Sequence, residues 1–253
     1  MGLPALVLVH GGGFAADCWE PTVDVIRRAD PELKVLALDL PGRRGKPGDL
    51  VTACIDEWVD SVVADIKSAE FDDNLVIVGH SSAGLTVPAI VAKLGSSRVR
   101  EMILATAQVP ANGSALVDTL PGALSWFARR TAKRYVQKGR SVSAGGLPTA
   151  LARFVFCNGM TPAQRRFTLA RSCQDSSPIL IEKVDRSGMP DDVPRTWILT
   201  QRDRAVPMKI QHECIAALGG VQTLIEIDTC HMLMISEPQR LAEILVERCR
   251  LYG

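Results

Sequence analysis

Residues 75–84 read LVIVGHSSAG. Four apolar residues, Leu75 to Val78, run straight into Gly79-His80-Ser81-Ser82-Ala83-Gly84, and a helical pattern over 82–94 follows at once. An apolar run without alternation suits a strand buried on both faces, as in a parallel sheet covered by helices. Five more runs of that kind flank it, at Leu6–His10, Val35–Leu40, Glu101–Ala107, Arg195–Gln201 and Gln222–Asp228. Between two of them, residues 52–69 place Ile55, Trp58, Val59, Val62, Val63 and Ile66 on one helical face. Residues 237–251 also read as a helix. The alternation predicts an α/β fold with a doubly wound, mostly parallel, six-stranded sheet.

The interval 108–192 breaks this rhythm. It opens with Pro110, Asn112, Gly113, Pro121 and Gly122, carries Trp126, Phe127, Tyr135, Phe154, Phe156 and Phe167, and shows no convincing strand. An unstructured loop of that length is uncommon inside a compact domain. The interval is therefore expected to be a helical cap, inserted between core segments 1–107 and 193–253.

Composition narrows the function classes. The 253-residue chain is 47% apolar and 23% charged, with a net charge of +1. Such a balance supplies no global field for nucleic acid or an anionic membrane. The seven cysteines show no CxxC pair and no metal-ligand spacing. They are expected to be reduced thiols of a cytoplasmic protein. The opening MGLPALVLVHGGG has a short apolar run and no basic stretch before it, so it reads as a buried strand and not as a leader or membrane span. Residues 129–135, with Lys138 and Arg140, form one basic cluster, read as a solvated helix face.

The strand–GHSSA–helix junction has the context of a nucleophile elbow. A turn that sharp needs small residues two before and two after the nucleophile. Gly79 and Ala83 fill those places around Ser81, whereas Ser82 would have the bulky His80 two before it. The glycine turn Gly11-Gly12-Gly13 allows close backbone approach. With the elbow it predicts an oxyanion hole made by the N–H groups of Gly12 and Ser82. A phosphate loop would want GxGxxG or a Gly-Lys-Ser/Thr ending, and neither is present. The base is assigned among four histidines. His10 lies in the glycine turn, His80 precedes the serine, and His212 lies in a polar helical pattern. His231 follows the last strand, where α/β sites assemble. Asp203, just past the strand 195–201, completes the chain order serine, acid, histidine. Asp228 lies too close to the strand that leads into the His231 loop, and Asp192 precedes its strand. The arrangement predicts acyl transfer through Ser81, His231 and Asp203, with no cofactor and no metal.

These stretches resemble the α/β-hydrolase superfamily, and within it the small plant-type methylesterase and hydroxynitrile lyase branch. LVLVHGGGFAADCW resembles that branch's first strand, glycine turn and downstream Trp. VIVGHSSAG resembles its elbow, and CHMLMISEPQRLAEIL its histidine loop and last helix. The lyases of the branch place a threonine after the strand-end His and a lysine beside the catalytic His. Here Gly11 and Met232 occupy those places, so the resemblance implies the esterase pattern. A lactonase, a lyase-like enzyme or a non-catalytic binding receptor are the alternatives on the same fold. The expected partner is a small, partly apolar ester; a homodimer is admitted, and nucleic acid and membrane are not expected. Pocket-lining candidates are Gly13, Phe14, Trp126, Phe127, Leu147, Phe154, Phe156 and Met232.

Overall fold

The computed structural model describes residues 2–71, 73–143 and 149–253. Six parallel strands form the core sheet: β1 (Ala5–Val9), β2 (Val35–Leu38), β3 (Leu75–His80), β4 (Val99–Ala105), β7 (Arg195–Thr200) and β8 (Thr223–Ile227). Their spatial order is β2-β1-β3-β4-β7-β8. The chain winds outward one way from β1, then returns and winds the other way from β3. That reversal makes a switch point at the carboxyl ends of β1 and β3, where ligand crevices form in open α/β sheets.

Side chains leave the strands alternately to the two faces. On β1, Ala5, Val7 and Val9 join the core on one face, while Leu6 and Leu8 join the core on the other. The first face is covered by α2 (Ile55–Ser68), α3 (Val87–Leu94) and α7 (Met208–Ala217), through residues such as Trp58, Val62, Ile90 and Cys214. The second is covered by α1 (Glu20–Ala29) and α9 (Pro238–Arg250), through Val23, Ile26, Leu241 and Leu245. Double coverage explains why β1, β3 and β7 are buried at every position. The edge strand β8 differs: its residues alternate in burial and Leu224 stays 43% exposed, because only one of its faces is fully covered.

At the base of the sheet Glu101 on β4 is fully buried. It accepts hydrogen bonds from Arg248 Nη2 (2.7 Å) and Arg248 Nε (3.1 Å to each oxygen), and from Thr196 Oγ1. A buried carboxylate persists only with such compensation.

The interval between β4 and β7 carries α4 (Gly122–Gln137), α5 (Thr149–Phe156) and α6 (Pro162–Ala170). It also contains what the sequence did not announce: a two-residue antiparallel pair, β5 (Val142–Ser143) with β6 (Gln174–Asp175). Two residues per strand are too few for any hydrophobic alternation to register. After β8 the chain forms a single helical turn, α8 (Leu233–Ser236), before α9.

Candidate active site

The elbow forms where β3 ends. Ser81 has φ +54°, a left-handed conformation that an L-residue adopts at a cost. The turn around it is closed. A Cβ on Gly79 would stand 2.7 Å from Val87 Cγ2, and one on Gly11 would stand 2.7 Å from Ser81 Cβ. A 3-10 turn, Ser81–Gly84, then leads towards α3. Ser82 is its second residue, so its N–H has no carbonyl behind it within the turn.

Three side chains distant in sequence meet here. Ser81 Oγ donates to His231 Nε2 at 3.0 Å, and His231 Nδ1–H donates to Asp203 Oδ2 at 2.7 Å. The sheet places each one: Ser81 just after β3, Asp203 just after β7, His231 just after β8. All three are buried, and Ser81 is the most accessible at 8%.

Asp203 is held from every side. Its Oδ2 also accepts from Thr106 Oγ1 (2.5 Å) and Thr200 Oγ1 (3.0 Å). Its Oδ1 accepts from the backbone N–H groups of Ala205 (2.7 Å) and Val206 (2.8 Å). Burial alone would raise this carboxyl. The neighbouring His231 and the hydrogen bonds outweigh burial and hold it below the ordinary carboxylate range. Thr106, directly after β4, has φ +40° and is fully buried. A β-branched residue in that region is strained, and the reversal aims its hydroxyl at Asp203.

Two further histidines support the loops as neutral rings. His80 Nε2–H donates to the carbonyl of His231 at 2.9 Å, tying the residue before the elbow to the histidine loop. His10 Nδ1–H donates to the Gly11 carbonyl at 2.8 Å, and its Nε2 accepts from Leu40 N–H at 3.2 Å. Burial lowers both rings to about 3.

A cavity of about 500 Å³ opens over Ser81 and His231. Gly12, Ser82, Gln108 and Asp175 give it a polar side, while Leu116, Leu120, Leu124, Val155, Phe156, Ile179 and Leu180 make most of the wall apolar. Trp58, Arg204 and Ala205 complete the lining. Of the expected pocket residues, Phe156 is in place, 5.7 Å from the His231 ring between centroids. Six of the others do not line it. Trp126, Phe127 and Phe154 are 64%, 61% and 58% exposed, because α4 and α5 turn them outward. Arg130 lies over the Trp126 ring and Arg204 over that of Phe154. Phe14 is buried behind Phe156, edge to face at 6.2 Å, and Met232 is fully buried in the core beneath. Gly13 is buried and faces Asp175 with its N–H. Leu147 lies outside the described residues.

No motif or periodicity pointed to Asp175. It lies on β6, in a polar stretch with no periodicity, yet its Oδ2 accepts from Gly13 N–H at 2.7 Å. Its Oδ1 accepts from Ser176 N–H at 2.7 Å and from the Arg43 guanidinium. Arg43 is 1% exposed, lies 4.8 Å over the Trp58 ring and donates to the Pro41 carbonyl at 3.1 Å. Burial raises the Asp175 carboxyl, with Arg43 and the backbone donors opposing it. Among the described residues no group of three or more histidine, cysteine, aspartate or glutamate side chains could hold a metal ion, and no helix is long and apolar enough to cross a membrane.

A sequence model of the alpha/beta hydrolase family matches residues 6–244. The chain belongs to that family. Similar proteins include Methylesterase 18 of Arabidopsis thaliana, 24% identical over 95% of this chain and 95% of its own length. A pyrethroid hydrolase of Sphingobium wenxiniae is 24% identical over 98% of this chain and 88% of its own. Among solved structures, an extracellular alpha/beta-hydrolase from a Paenibacillus species superposes with a TM-score of 0.83. It is 21% identical over 96% of this chain and 98% of its own, and is described as sharing structural and functional homology with tobacco salicylic acid binding protein 2. That similarity carries the fold: the six-stranded parallel sheet with helices on both faces is that of an α/β hydrolase.

Proposed function

We propose that this α/β hydrolase is a carboxylic ester hydrolase acting on small or medium, partly apolar esters through a Ser81–His231–Asp203 triad. The observation that carries the reading is the unbroken chain of hydrogen bonds, Ser81 Oγ to His231 Nε2 (3.0 Å) and His231 Nδ1 to Asp203 (2.7 Å), at the floor of a largely apolar cavity. Relatives named as methylesterase and pyrethroid hydrolase support it.

In this reaction Ser81 Oγ attacks the ester carbonyl carbon as its proton passes to His231 Nε2. Asp203 holds the ring in the tautomer with Nδ1 protonated and stabilises its charged form. The developing oxyanion is received by the N–H groups of Gly12 and Ser82, both at the cavity wall. The tetrahedral species then expels the alcohol, which takes the proton from His231 Nε2. Water, deprotonated by the same nitrogen, attacks the acyl-enzyme, and its collapse releases the acid and restores Ser81. Residue 232, beside the base, is a fully buried methionine that brings no ammonium to a leaving cyanide, which favours ester hydrolysis over the lyase reaction.

A screen of p-nitrophenyl esters of increasing acyl length, with Ser81→Ala beside the parent, tests the reading. Turnover by the parent, reduced about 10⁴-fold or more in the variant, is expected. Equal turnover by both proteins, or tight ligand binding without turnover by the parent, refutes it.

A further inference from the structure

A second feature of the cavity lies beside the proposed oxyanion loop and takes no part in the reaction steps above. The bare Cα of Gly12 is flanked by two polar atoms: a Cβ there would meet Asp175 Oδ2 at 2.7 Å and Ser82 Oγ at 3.1 Å. A side chain at position 12 would crowd both oxygens, and all three residues line the cavity. The two oxygens of Asp175 are used unequally. Oδ1 is saturated by Arg43 and Ser176 N–H, whereas Oδ2 accepts one bond, from Gly13 N–H. A carboxylate oxygen has two acceptor positions, so Oδ2 can accept one more bond. Ser82 Oγ makes no hydrogen bond among the described residues. A carboxylate in a mostly apolar wall is costly unless its acceptors are satisfied, and the second acceptor position of Oδ2 suits a substrate donor.

We propose that Asp175 Oδ2 and Ser82 Oγ form a donor-recognising subsite, so that the preferred esters carry a hydroxyl or amino group on the acyl carbon next to the carbonyl. The proposal rests on the ester hydrolase reading. It assigns the acyl side because the leaving alcohol must face His231 Nε2 to be protonated, while Asp175 bonds to the glycine turn. Arg43 then has a defined part. Its buried charge keeps Asp175 from presenting an uncompensated negative charge beside a developing oxyanion, while leaving the second oxygen able to accept.

The test uses Ser81→Ala protein, so that binding is read without turnover. Each enantiomer of methyl 2-hydroxy-3-phenylpropanoate is compared with methyl 3-phenylpropanoate by ligand-observed NMR titration. One hydroxy enantiomer is expected to bind about tenfold tighter than the deoxy ester, as a hydrogen bond to a charged acceptor allows. The ratio should fall towards one in Ser81→Ala/Asp175→Asn and drop measurably in Ser81→Ala/Ser82→Ala, the second variant leaving the Arg43 pair intact. Equal affinity for the hydroxy and deoxy esters with Asp175 intact overturns the subsite. So does a preference that survives Asp175→Asn. Turnover of p-nitrophenyl esters by the parent separates the two levels. If it persists while the hydroxyl preference is absent, the subsite alone fails; if it too is absent, the hydrolase reading fails with it.

Discussion

Thr106→Val is the most informative single substitution at this site. Threonine and valine are both β-branched and share one shape, so the cost of φ +40° is common to both and cancels. What changes is the hydroxyl that donates to Asp203 Oδ2 at 2.5 Å in a fully buried setting. A hydrogen bond to a charged acceptor contributes about 1.5–3 kcal/mol, against about 0.5–1.5 kcal/mol for a neutral one. Thr106→Val should therefore lower unfolding free energy at pH 7 by about 2 kcal/mol, towards the low end because Thr200 and two backbone N–H groups still hold the carboxylate. A cycle with Asp203→Asn isolates the charged part of the bond, with an expected coupling of about 1 kcal/mol. Urea unfolding of the four proteins measures it, and Thr106→Ser, which keeps the donor, should recover most of the loss. Additivity within about 0.3 kcal/mol would sink the argument that Thr106 acts through the Asp203 charge.

Arg248→Met should strip Glu101 of its counter-charge at the base of the sheet and destabilise the fold by about 3–5 kcal/mol, whereas adding Glu101→Gln should restore part of it; denaturant midpoints decide. Lowering pH should destabilise the protein through His10 and His80. Their folded values of about 3 lie below the unfolded 6.5, so the unfolded chain binds two extra protons between those limits and stability falls as pH drops from 6.5 towards 3. The slope should approach about 2.7 kcal/mol per pH unit, and a flat unfolding free energy between pH 7 and 5 contradicts it. Gly11→Ala should abolish turnover of any ester the parent cleaves, since its methyl would stand 2.7 Å from Ser81 Cβ and 3.0 Å from the His80 carbonyl oxygen; retention of more than about a tenth of parent activity would show that the turn can give way.

The core of this molecule is legible in its sequence because burial on both faces leaves one residue class to choose from. Each of the six strands falls within two residues of its apolar run. Where a boundary moved there is a local cause: β4 ends at Ala105, not Ala107, because Thr106 reverses the backbone towards Asp203. The meeting of Ser81, Asp203 and His231 was readable because a parallel sheet sends every strand's carboxyl end to the same edge. The wall of the cavity was not. Helical spacing puts Trp126 and Phe127 on one helix and Phe154 on another, but does not say which neighbour covers which face, and here all three stay largely exposed. Asp175 was out of reach for another reason: its contact with Gly13 spans 162 residues and leaves no periodic trace.

Ser81, His231 and Asp203 and the bonds that orient them all arise from the strand ends of the sheet, through Thr106, Thr200, His80, Ala205 and Val206. The glycine turn instead leans on Asp175, delivered by the interval between β4 and β7. For anyone building chimeras, residues 108–192 should be exchangeable without breaking the Ser81–His231–Asp203 hydrogen-bond chain, provided the donor brings an acidic residue to meet Gly13 and the arginine at 43 is kept or replaced with it.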